Sequence, residues 1–207
     1  MKSVLPNFWC FNRSLDEKNI KSEVISWKGP FSWPSFEKEN ELNSVPDISG
    51  IYLLIFEYLE GYIIRTLGVS KSIKKRIYQH HRNYFKGQYT ILDTEVAKKG
   101  IRKELWHGWE FAKLNQKLFQ DNYEEIIKYT KRELKNYRIF IAEANDQRIR
   151  ERVEATIVMN FYLSSNLYTG LIDGGMSLRN RFSNEMPIEV INICDKKIYG
   201  LPTIMEV

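Results

Sequence analysis

From Gly50 to Tyr58 the chain is an almost unbroken run of β-branched, aromatic and leucine side chains, and after the turn-like Glu60-Gly61 a second such run extends from Tyr62 to Val69. Residues of this kind suit a pleated, half-buried surface, so the pattern predicts an antiparallel hairpin. From Ser70 the period lengthens. Ile73, Ile77, His80 or His81, and Tyr84 recur at three- and four-residue steps, which predicts an amphipathic helix with Ser70 as its N-cap. Tyr137 to Ala144 reads as a third strand. Between Asp146 and Leu163, the apolar residues Ile149, Val153, Ile157 and Phe161 form one helical stripe with Glu154 at its border.

The flanks and the middle follow other patterns. Residues 1 to about 48 alternate aromatic and charged groups and are punctuated by Gly29-Pro30, Pro34 and Pro46, which forbids a long helix and leaves an extended arm with a short strand at Glu23 to Trp27. Trp27, Phe31, Trp33 and Phe36 are expected to staple that arm to the domain. From about 86 to 136, a polar turn at Lys86-Gly87-Gln88 leads into helical patterns through Glu95 to Leu105 and Phe111 to Leu134. The tail from Gly170 reads as loop and short strand. The expected fold class is α+β, with a small three-stranded antiparallel sheet flanked by helices. The expected organisation is a single domain over 1–207, comprising an N-terminal arm (1–48), a core (49–170) with a helical insertion at about 86–136, and a C-terminal extension (171–207).

Composition narrows this further. With 207 residues, 43% hydrophobic and 14% aromatic, the chain has room for one well-buried domain and is not a disordered polymer. The formal charge of +5 supports a phosphate-bearing partner without demanding one. Much of the positive charge falls in the middle region, including Lys98, Lys99, Arg102, Lys103, Lys131 and Arg132. These either line a phosphate-contacting surface or form a solvated helix face with acidic partners one turn away. Cys10 and Cys194 stand near opposite ends with no Cys-x-x-Cys spacing, so a reduced, cytoplasmic protein is expected. Pro6 and Asn7 interrupt the first residues, and no run approaches the roughly twenty apolar residues of a membrane span. No membrane association is therefore expected.

The chemistry concentrates around the hairpin. Arg76 and His80 lie one helical turn apart on the same face, and Tyr52 on the first strand can meet them, gathering a guanidinium, an imidazole and a phenol about one point. That set suits a phosphodiester. In order along the chain stand Gly50-Ile51-Tyr52, then Thr66-Leu67-Gly68 followed by Val69-Ser70, then Arg76 and His80, then Glu154, and twelve residues later Asn166. This ordered set resembles the GIY-YIG nuclease superfamily over roughly residues 46 to 170, with a gap at the insertion. The first motif is intact. The second is degenerate, with Thr66 where the family usually carries a tyrosine.

The resemblance implies a metal-dependent endonuclease that hydrolyses DNA phosphodiester bonds, of restriction type. In it, Tyr52 orients or deprotonates the attacking water directly or through His80, and Arg76 holds the scissile phosphate. Glu154 binds one Mg²⁺, or Mn²⁺ in its place, and Asn166 supports the site. Thr66, Ser70 and Lys74 are expected on the substrate side. A homodimer that cuts both strands is the expectation carried over from restriction enzymes of the superfamily. Two substitutes for the missing phenol are at hand. Tyr62 lies on the face of Thr66 two pleats away, and Arg65 lies on the opposite face unless a bulge turns it. The alternative is a non-catalytic nucleic-acid-binding protein on the same scaffold. A third reading is a protein-interaction module that exposes Trp106, Trp109 and Phe111.

Overall fold

A computed structural model describes residues 20–163, 169–173 and 177–207. Along them run β1 (Lys21–Ser32), α1 (Glu37–Asn40), β2 (Gly50–Tyr58), β3 (Gly61–Ser70), α2 (Ile73–Phe85), β4 (Ile91–Leu92), α3 (Thr94–Ala97) and β5 (Glu104–Trp106). They continue with α4 (Trp109–Leu114), α5 (Gln116–Asp121), α6 (Tyr123–Asn136), β6 (Arg138–Glu143), α7 (Gln147–Leu163), β7 (Ile188–Cys194), β8 (Ile198–Tyr199) and β9 (Ile204–Glu206).

The three expected strands form and lie side by side as β3-β2-β6, antiparallel throughout. They are not the whole sheet. Seven strands pair in the order β8-β3-β2-β6-β1-β7-β9, and β4 and β5 make a separate two-stranded sheet, so the expected small three-stranded sheet is corrected to a large mixed one. The reason lies in β6. Its residues alternate between two apolar layers, with Ile139 and Ile141 on one face and Phe140 and Ala142 on the other, and a strand so buried makes a poor edge. The far side of β6 is covered by β1, which pairs antiparallel as Trp27↔Ala142 and Phe31↔Ile139. Parallel β7 then adds to β1 from Lys21↔Ile188 to Trp27↔Cys194. The strand of the arm therefore runs for twelve residues, Lys21–Ser32, rather than the short Glu23 to Trp27 expected. Its aromatics pack as expected, with Trp27 and Trp33 buried and Phe31 and Phe36 partly buried.

Each face of the sheet carries a helical layer. Ile73, Ile77 and Tyr84 of α2 and Leu134 of α6 pack with Tyr52, Leu54 and Phe56 on one face. Val153, Ile157 and Phe161 of α7 pack with Ile51, Leu53 and Ile55 on the other. The expected helix from Glu95 to Leu105 is split, because Gly100 turns the chain at φ 78° and Glu104–Trp106 becomes β5. The N-cap of α2 is Ser72, whose hydroxyl accepts from Lys75 N at 3.4 Å, rather than Ser70. Among the described residues no helix is long and apolar enough to cross a membrane. Cys194 is a free thiol, and Cys10 lies outside the described residues.

Candidate active site

At the outer edge of β3, β8 pairs only with Tyr62 and Ile63. Beyond them, Arg65 to Val69 line a cleft of about 460 Å³ between the α2 and α7 layers. Among the described residues no strand pairs with this edge of β3 beyond Ile63, and five consecutive residues of β3 line one cavity. Into it project Tyr52 from β2, Arg76 and His80 from α2, and Glu154 from α7, four of the residues that the sequence singles out.

Tyr52 reaches the cleft because its register partner across the hairpin is Gly68. A Cβ at residue 68 would stand 2.3 Å from the Tyr52 hydroxyl and 2.6 Å from Cζ, so only glycine lets the phenol lie across β3. The Tyr52 hydroxyl meets His80 Nε2 at 2.8 Å. His80 Nδ1 meets the Tyr89 hydroxyl at 3.0 Å, and the Asn83 amide donates to the same Tyr89 oxygen at 3.1 Å. His80 is thus a neutral ring bridging two phenols. Burial and then the Arg76 charge hold its pKa down to about 3. Burial also pushes the Tyr52 phenol up to about 12, although a hydrogen bond with Arg76 and the charge of that guanidinium oppose the rise. His80 lies in mid-helix rather than at the end of α2, and Arg76 is turned to Tyr52 and Gln79.

Glu154 comes from the opposite layer. Its possible partner one turn back, Arg150, is buried and spends its guanidinium on Ser49 Oγ at 2.8 Å, Ala144 O at 2.7 Å and Asn145 O at 2.9 Å. Among the described residues no ion pair or hydrogen bond engages the Glu154 carboxyl. Burial, together with the Glu151 carboxylate, raises it to about 7 against the pull of Arg76. A half-buried carboxylate with no direct ion pair among the described residues is a site for a proton or a cation. No cluster of three or more metal-ligating side chains gathers among the described residues. Of the two carboxylates in the cleft lining, Asp173 is engaged by arginines, which leaves Glu154 as the one that could hold Mg²⁺, a cation that takes one or two carboxylates and keeps several waters.

A bulge reshapes β3 beside Thr66. Leu54 pairs with Thr66 but Ile55 pairs with Ile64, so Arg65 is an extra residue and the alternation of β3 reverses there. Tyr62 consequently falls on the face of β3 opposite Thr66 and packs against Phe140 with ring centroids 5.2 Å apart, so its phenol does not stand beside Thr66. Arg65, instead of pointing away, turns to the cleft side and is 1% exposed. It donates to Asp173 Oδ2 at 2.6 Å and to Leu171 O at 3.3 Å. Arg102 from the basic insertion reaches Asp173 Oδ1 at 2.8 Å. Burial opposes the charge of Asp173, yet the two arginines hold its carboxyl below the usual range. The Thr66 hydroxyl lines the cleft but is spent on the Asp173 carbonyl.

Two expected substrate contacts lie elsewhere. The Ser70 hydroxyl turns back to the backbone of Ser72, and Lys74 lines a small depression beside Pro34 and Tyr78. Asn166 lies outside the described residues. The sequence reading missed Tyr89, Asn83 and Asp173, whose partners are distant in the chain or sit in turns without periodicity. Trp106 is buried and donates Nε1 to Gly87 O at 2.6 Å, so it cannot be the exposed anchor of an interaction module. Compared with known proteins, the chain matches no family model, no curated protein and no solved structure.

Proposed function

We propose that this chain is a metal-dependent DNA endonuclease of GIY-YIG type with a degenerate second motif, acting in the cleft along β3. The observation that carries the reading is the convergence of Tyr52, Arg76, His80 and Glu154, drawn from three elements and both layers, on one cavity. The two cysteines suit the cytoplasmic setting in which a restriction-type enzyme would meet DNA.

In this reading the scissile phosphate docks on Arg76 through charge-assisted hydrogen bonds. Docking neutralises one of the two causes of the low His80 pKa, the other being burial. The tautomer this reading uses has Tyr52 donating to His80 Nε2 and His80 Nδ1 donating to Tyr89, whose oxygen also accepts from Asn83. As water attacks phosphorus and the bond from phosphorus to the leaving ester oxygen breaks, the water proton passes to the Tyr52 oxygen while the Tyr52 proton moves to His80 Nε2; the leaving oxygen takes a proton from solvent, and the His80 imidazolium later returns its own to solvent. The phenol and imidazole are both neutral at rest, so the two transfers accompany the attack rather than precede it. Glu154 is the residue that would hold Mg²⁺, which when bound supplies charge relief at the leaving oxygen.

The test is cleavage of plasmid and genomic DNA in Mg²⁺ or Mn²⁺, beside an EDTA control and the Glu154→Ala, Arg76→Ala and Tyr52→Phe proteins. Discrete, metal-dependent fragments lost in all three variants are expected. One observation favours a second reading, a non-catalytic DNA-binding protein: the Thr66 hydroxyl, at the position of the family's second tyrosine, is spent on the Asp173 carbonyl. Wild-type protein that binds DNA yet cuts none in any divalent cation would decide for that alternative.

A further inference from the structure

Trp109 is 45% exposed, lines the cleft and has a left-handed backbone, φ 57°. For a bulky side chain this is a strained conformation that persists only where surrounding contacts impose it. The contacts here are specific. Trp109 N donates to Gln88 O at 2.9 Å, Gly108 N donates to Thr90 Oγ1 at 3.1 Å, and a Cβ on Gly108 would stand 2.4 Å from the backbone of Tyr89 and Thr90. The Gly108–Trp109 corner is therefore clamped onto residues 88–90, and the indole is held at the mouth of the cleft. Its ring continues a row of rings running inward, with Trp109–Tyr89 centroids 5.2 Å apart, Tyr89–His80 5.5 Å and His80–Tyr52 5.7 Å. On the α7 side, Tyr162, 57% exposed, lines the same cleft.

A clamped, exposed indole beside groups suited to a phosphate is a stacking platform for the base next to that phosphate. We infer that Trp109 stacks on a DNA base displaced from its helical stack, so that the substrate class is DNA with an unpaired or flipped nucleotide at the cleavage point. This rests on the nuclease reading of the cleft. It goes further by naming the form of DNA and the residue that selects it.

The experiment measures fluorescence-anisotropy binding in EDTA, where no cleavage occurs, to three labelled DNAs: a mixed-sequence single strand, its perfect duplex, and the duplex with one bulged base. Wild type is expected to prefer the single strand and the bulge. Trp109→Ala should weaken binding to those two by about 5- to 150-fold, the range of one lost base stack, and to the perfect duplex by less than about 3-fold. Trp109→Phe, which keeps a ring, should retain most of the affinity. A second measurement uses the unaltered protein: photocrosslinking to 5-iodouracil at the bulge should modify Trp109, read by mass spectrometry. Equal affinities of wild type and Trp109→Ala for all three DNAs, equal losses on all three, or a crosslink confined to other residues would overturn the inference while leaving the nuclease reading intact. Wild type that binds none of the three would overturn both.

Discussion

Replacing Glu154 by glutamine is expected to stabilise the protein at alkaline pH and to remove its response to divalent cations. The Glu154 carboxyl has no partner among the described residues, and its pKa is raised from 4.5 to about 7 by burial first and Glu151 second. Below about pH 4.5 the group is protonated in folded and unfolded chains alike, and it costs nothing. Between 4.5 and 7 the unfolded chain ionises it while the fold retains the proton, so stability falls as pH rises, and above 7 the whole penalty stands. At full ionisation the penalty approaches roughly 3 kcal/mol, and solvent screening at a half-buried site brings it to about 1–3 kcal/mol. Glutamine keeps the shape without the charge. In a chain of this size the gain corresponds to a melting midpoint about 3–9 °C higher.

Thermal and urea unfolding of both proteins at pH 4.5 and pH 8 provide the assay. The two should unfold nearly together at pH 4.5, with the variant more stable at pH 8. Added Mg²⁺ should then raise the wild-type midpoint at pH 8, because a cation that binds the ionised carboxylate of the folded chain stabilises it by mass action, and should leave Glu154→Gln unmoved. A variant melting at or below wild type at pH 8 would refute the reasoning, since it would mean that the carboxylate already has a stabilising partner.

Three further outcomes are expected. Gly68→Ala places a Cβ 2.3 Å from the Tyr52 hydroxyl and must displace the phenol, so cleavage should fall by at least about 100-fold in a protein whose circular dichroism is unchanged; an active variant would show that the position of the phenol does not matter. Asp173→Ala strips the buried Arg65 guanidinium of its counter-charge at 2.6 Å, and urea unfolding should register a loss of about 3 kcal/mol; a loss below about 1 kcal/mol would mean that Arg65 finds compensation. Tyr89→Phe removes the hydroxyl 3.0 Å from His80 Nδ1. It should slow cleavage about 10-fold at constant DNA affinity and shift the His80 ¹⁵N resonances, whereas an unchanged rate would detach Tyr89 from the proton path.

Local periodicity carried a good deal of this protein. The β2–β3 hairpin, the strand β6, the helices α2 and α7, and the one-turn spacing of Arg76 and His80 are all written in residues a few positions apart, where alternation by two or by three and four reports directly on the faces of strand and helix. The burial of Trp33 and the position of Glu154 at the border of its stripe were legible for the same reason. The extent of the sheet was not. The pairing of Lys21 with Ile188 joins segments from opposite ends of the chain, and a parallel pairing leaves no turn signal to announce it.

The candidate site divides along the same line. Which residues supply a phenol, a guanidinium, an imidazole and a carboxylate is a property of the amino-acid sequence, and their order along it is what raised the nuclease reading. Whether they meet, and in what protonation state, depended on the packing of two helical layers about β3. That packing desolvates His80 and Glu154 and moves their proton affinities in opposite directions, down to about 3 and up to about 7, because burial disfavours whichever form is charged. A single extra residue at Arg65 reversed the alternation of β3, put Tyr62 on the face opposite Thr66 and brought a buried arginine to Asp173. Such a bulge is set by the register of strands on either side, and register is a contact between distant segments rather than a property of either one.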